Sequence, residues 1–201
     1  MRLLRFLLLS LLGELAASRS AQAQRSAETL DAFNARGQRL THSGMTVLGA
    51  WGAGNLVANG IALRNASGSD KAFYQMNLAW AGVDLVLAGV GFFNSRHAKT
   101  GPSAYETLEE QQKTEKLFLV NAGLDVAYVT GGFYLMERAK ARLENSERND
   151  GYGRALVLQG GFLLLFDGVM YAVHRGHFKK NKGFWQRLEV AQSGVGIKAT
   201  F

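Results

Sequence analysis

The sequence predicts an all-α protein, an antiparallel four-helix transmembrane bundle behind a cleaved signal peptide. Three observations predict it. The 201-residue chain carries four apolar runs of membrane length. Hydrophobic residues reach 47% while charged residues are only 19%, below the ~25% of soluble domains. The 24 glycines lie mostly inside apolar runs, where small residues let helices approach closely.

Residues 1–23 read as a secretory leader. Arg2 and Arg5 give the positive start, residues 6–12 the apolar centre, and Ala21-Gln22-Ala23 the cleavage site. Glu14 keeps the run below the ~20 residues of a membrane span. An uncleaved anchor is the alternative. Removing the leader takes three arginines and one glutamate, lowering the formal charge from +7 to +5. Residues 24–40 form a polar, helical N-terminal segment.

Residues 41–175 form the membrane domain. Its spans are 45–63, 76–93, 117–136 and 155–173, each of 18–20 residues without Lys or Arg. At 1.5 Å per residue these match the ~30 Å hydrocarbon layer. The connections are a short turn around Asn65-Ala66-Ser67-Gly68-Ser69-Asp70, a charged loop at 94–116 and a charged stretch at 137–154. Short connections favour antiparallel neighbours. A bundle in water would need a polar face on each helix, and these runs have none.

Residues 176–201 form a basic, aromatic tail. Phe178, Phe184 and Trp185 sit among Lys and Arg, as at lipid headgroups. Residues 195–201 alternate with period two, like the closing strand of an outer-membrane barrel, but the rest lacks the ~10-residue alternating segments a barrel needs. The reading is a bacterial inner membrane, with the outer membrane as alternative. A secreted N-terminus would leave the more basic loops outside, against the positive-inside rule, so orientation is open.

Laid over one another, the spans share a pattern. Trp51, Asn55, Leu56, Val57 and Gly60 fall 29 positions before Trp80, Asp84, Leu85, Val86 and Gly89. Ala122-Gly123-Leu124-Asp125 follows Ala81-Gly82-Val83-Asp84 by 41 positions, and the fourth span keeps Phe166-Asp167-Gly168. Asn55, Asp84, Asp125 and Asp167 thus lie mid-span and should form a polar layer. Asn121, Asn77, Gln159 and Asn59 lie on compatible faces.

An ionised Asp at that depth costs at least ~2.5 kcal/mol. The acids must therefore share protons, surround a hard cation or line a wet cavity. The candidate cation- or proton-binding set is Asp84, Asp125, Asp167, Asn55 and Asn121; Trp51, Trp80, Asn77 and Gln159 are candidate pocket walls. The competing reading is structural, with the same residues hydrogen-bonding between helices and fixing register.

Other chemistry finds little support. Absence of cysteine excludes disulfides and thiolate metal sites. His42, Glu137, His174 and His177 lie at span edges, and no histidine sits within a span to hold haem. No nucleophile-elbow or phosphate-loop motif occurs in context, so no enzyme, organic cofactor or assigned metal is expected. Basic residues flank the runs and form no stripe, which argues against nucleic acid. The expected partners are the bilayer and a second copy or another membrane protein.

Met76-Asn77 with Trp80, Asn121-Ala122-Gly123-Leu124-Asp125, and Gln159-Gly160-Gly161-Phe162 before Phe166-Asp167 together resemble an uncharacterised bacterial membrane protein family, a domain of unknown function of Bacteroidetes type. The resemblance spans about 40–175. It implies a multi-pass membrane protein and supplies no activity.

Overall fold

Uncharged apolar runs bounded by polar turns become long helices. The computed structural model describes residues 2–96, 101, 103–141 and 144–186. Helix α1 spans Arg2–Ala62, α2 Gly68–Arg96, α3 Ala104–Ala139 and α4 Ser146–Lys180. A single 3-10 turn, Leu63–Asn65, links α1 to α2, and a further helical turn follows α4 at 182–186. The leader and the polar segment 24–40 belong to one continuous helix with the first apolar run. The alternating residues 195–201 lie outside the described residues.

The helices extend past the apolar runs. Residues 104–116, expected in a loop, form the first turns of α3. A capping box starts them: Ser103 accepts from the Glu106 amide, and the Glu106 side chain accepts from the Ser103 amide. Helix α4 likewise begins at Ser146, within the stretch expected to connect spans. Its entry is made by Asn145 in the left-handed region at φ 69°, a conformation asparagine tolerates. At 36 and 35 residues, α3 and α4 are longer than a bilayer core is thick, and their charges gather toward their ends.

Packing places the helices in the ring order α1, α2, α4, α3, with α1 and α3 meeting only sparsely. Neighbours α1/α2 and α3/α4 are antiparallel, whereas α2 and α4 run parallel. Small residues set the crossings. A Cβ on Gly132 would lie 2.7 Å from the Gly153 carbonyl oxygen, and one on Gly153 2.6 Å from that of Gly132. Gly52 approaches α2 at Ala81 and Asp84, and Gly151 meets Ser69 and Ala72. Arg154 bridges Asp70 at 2.8 Å and Asp150 at 3.1 Å at this end.

The distribution of polarity is inverted relative to a soluble domain. Gln159, Asn77 and Asp84 are the largest fully buried side chains, at 0% exposure, while Val86 and Leu165 are 65% and 72% exposed. Soluble interiors bury aliphatic residues and expose amides and acids. Among the described residues, α2, α3 and α4 are long and apolar enough to cross a membrane. Helix α1 is not among them; Asn55 and Asn59 dilute its apolar run. Phe184 is buried against Leu30 with Trp185 alongside.

Candidate functional site

Two polar groups occupy the interior, and they differ in how completely their atoms are paired. The first is an amide network joining α1, α2 and α4. Gln159 Nε2 donates to Asn77 Oδ1 at 2.6 Å and to Asn55 Oδ1 at 3.2 Å. Its Oε1 accepts from Trp51 Nε1 at 2.9 Å. Asn55 and Asn77 donate to the carbonyls one turn back, of Trp51 and Phe73. Asn59 donates to the Asn55 carbonyl and side-chain oxygens. Each side-chain oxygen and nitrogen of Asn55, Asn77 and Gln159 is engaged, as burial demands.

The second group is acidic and joins α3 to α4. Asp125 and Asp167, 3% and 5% exposed, lie close enough for their carboxyls to interact. Two buried carboxyls this close are eased by a proton held on one of them, since an ionised carboxylate can only accept. Asp125 Oδ2 has no partner, nor has either oxygen of Asp84 on α2. Among the described residues, no three His, Cys, Asp or Glu side chains group as they would around a metal ion. The acids thus resolve into a pair and a solitary Asp84.

Above Asp167 the bundle is hollow. A cavity of about 910 Å3 is lined by all four helices and lies where α1 and α3 diverge. Leu163, Phe166, Asp167 and Asn121 form its inner end, and Thr107, Gln111 and His174 lie toward the 97–103 connection. Asn34 Nδ2 donates to Thr107 Oγ1 at 2.9 Å, tying α1 to α3 there. Gln111 Nε2 donates to Glu115 Oε1 and to the His174 carbonyl, at 2.9 and 3.0 Å. Arg175 pairs with Glu115 at 3.2 Å. Phe118 stacks on His174 with ring centres 5.7 Å apart.

Residues 47–168 match the family described as "Family of unknown function (DUF6992)". The chain belongs to this family. No curated protein and no solved structure matches the chain. The DUF6992 region holds the whole amide network, Asp84, Asn121 and the Asp125–Asp167 pair; His174 and the α1 cavity residues before 47 lie outside it.

The structure therefore divides the residues expected in one layer. Asn55 joins the amides, Asp125 meets Asp167, and Asp84 stands apart. Asn121 and Asp167 line the cavity. Trp51, Trp80, Asn77 and Gln159, expected as pocket walls, are not among its lining residues. Trp51 instead stacks on Phe162 at 4.0 Å, and Trp80 packs edge-on against Tyr128 at 5.0 Å. Sequence reasoning set His174 aside as a span-edge residue, because its apolar run ends at Val173. The helix continuing to Lys180 brings His174 inside instead. Its spacing of seven from Asp167, two helical turns, was the available signal.

Proposed function

We propose that this DUF6992 protein is a multi-pass membrane protein of four crossing helices that holds a proton on the Asp125–Asp167 pair, at the inner end of a cavity reaching toward one bilayer face. The observation that carries the reading is a pair of neighbouring buried carboxyls beside a cavity, in a bundle whose apolar residues point outward. Apolar outer faces suit lipid and would be an aggregation hazard in water. A buried acid that lacks a cationic partner and opens on a cavity is, in a membrane, a candidate for handling protons or cations.

The amide network supports a structural role for Asn55, Asn77 and Gln159, because its hydrogen-bonding capacity is used internally. The second reading extends that role to the acids, making the chain an accessory protein with hydrogen-bonded helices and no ligand.

Infrared difference spectroscopy on lipid-reconstituted protein separates the two. A proton-holding pair gives a protonated-carboxyl C=O band at neutral pH that shifts in D2O and vanishes in both Asp125→Asn and Asp167→Asn. An unchanged spectrum in both variants contradicts the proposal. A band that persists unaltered when pH and cations are varied favours the structural reading.

A further inference from the structure

We infer that the cavity binds an organic ammonium ion with an apolar body. The inference rests on the Asp125–Asp167 pair being singly protonated, and it adds a ligand class that the pair alone does not specify.

Two buried polar side chains that line the cavity, His174 and Asp167, can accept a hydrogen bond. Thr41 Oγ1 lies 3.3 Å from both the Gly37 carbonyl and His174 Nε2. With the Thr41 hydrogen on the Gly37 carbonyl, the His174 hydrogen sits on Nε2 and Nδ1 carries a lone pair. His174 is 2% exposed, lines the cavity, and its Nδ1 has no partner. Two turns along α4, Asp167 offers carboxyl oxygens to the same cavity. A ligand that donates hydrogen can satisfy both.

Charge points the same way. A singly protonated carboxyl pair bears one negative charge, and the runs 117–136 and 155–173 contain no Lys or Arg to balance it. Nearer the mouth, Glu106, Glu109 and Glu110 outnumber Lys113 along the wall, and Arg175 is held by Glu115. An anionic ligand is disfavoured throughout. Phe118 and Phe166, 6.4 Å apart and edge to face, line the cavity between these acceptors and offer π faces to a cation.

Size and wall chemistry favour an organic ion over a bare metal. The volume of about 910 Å3 falls within the ~300–1,000 Å3 of small-molecule sites. Leu48, Leu87 and Leu163 would strip water from an inorganic ion without replacing its oxygens. An alkyl or aryl body gains from the same walls.

The test is calorimetric titration of the full-length protein in lipid nanodiscs with 4-phenylbutylammonium chloride, against neutral 4-phenylbutanol. The inference predicts saturable one-site binding of the amine, about tenfold or more tighter than the alcohol. Asp167→Asn should lose about tenfold or more in affinity. Leu87→Trp, at a half-exposed wall position, should block binding while leaving the carboxyl infrared band intact. Equal affinity for amine and alcohol, or binding unaltered in both variants, overturns the inference. A protonated-carboxyl band without amine binding refutes the ligand and spares the pair. Absence of the band in the wild-type protein refutes the pair itself.

Discussion

The two halves of the bundle handle burial in opposite ways. Toward the end where α1 turns into α2, backbones cross at Gly132, Gly151 and Gly153, and the neighbouring amides are fully paired. Toward the other end the helices part around a cavity lined by Asp167 and His174, and His174 Nδ1 and, deeper, Asp125 Oδ2 lack partners. Asp84 belongs with this second group by its unpaired oxygens. A half whose capacity is used internally can only hold the helices together. A half that keeps unpaired acceptors beside open space has something left to offer a ligand.

The largest test of this contrast is steric. Gly153→Val should destabilise by about 3 kcal/mol or more, because its Cβ meets the Gly132 carbonyl oxygen at 2.6 Å and backbone cannot step aside. The control, Leu87→Trp on the cavity wall, should leave the melting temperature nearly unchanged. Thermal unfolding of the purified proteins in one detergent reads both; equal losses would dissolve the distinction between a packed half and a hollow one.

Next come two nearly isosteric replacements of buried polar groups, with opposite expected signs. Gln159→Met removes three interhelical bonds and should cost about 2 kcal/mol, at roughly 0.6 kcal/mol each plus stranded partners. Asp84→Leu removes a carboxyl that has no partner at 0% exposure and should stabilise by about 1 kcal/mol. Equilibrium unfolding in mixed micelles measures both, and a loss of stability in Asp84→Leu would mean that Asp84 is paired after all.

The smallest effect is at the surface. Arg154→Ala removes the contacts to Asp70 and Asp150, which are partly exposed and together worth about 0.5–1 kcal/mol. That loss should shrink in high salt, whereas the Gln159→Met loss should not.

Much of this was legible in the residues, for identifiable reasons. Apolar runs without Lys or Arg located the helices, and mid-span acids and amides marked the polar interior. Helix ends were harder, because hydropathy reports where lipid could begin and not where backbone hydrogen bonding stops. Residues 104–116 are charged yet helical, and Ser103-Ala104-Tyr105-Glu106 held the capping signal in plain view. The single expected layer divided because depth alone does not fix a partner. Side chains lean toward their own helix N-terminus, so antiparallel Asp125 and Asp167 reach toward each other while parallel-packed Asn77 and Gln159 meet separately. The cavity depends on the sparse contact between α1 and α3, a tertiary property with no local signature.

The central claim, four helices with polar residues inside and apolar residues facing lipid, has a direct test because the chain contains no cysteine. Val57→Cys, Val86→Cys, Val126→Cys and Leu165→Cys each probe one helix at an exposed apolar position, with Glu110→Cys as an exposed polar control. In bilayers with a water-soluble maleimide on both sides, the four apolar positions should stay unlabelled until denaturation, while position 110 labels at once. Labelling of all four at the control rate would contradict a membrane bundle, and labelling at position 57 alone would remove α1 from the bilayer.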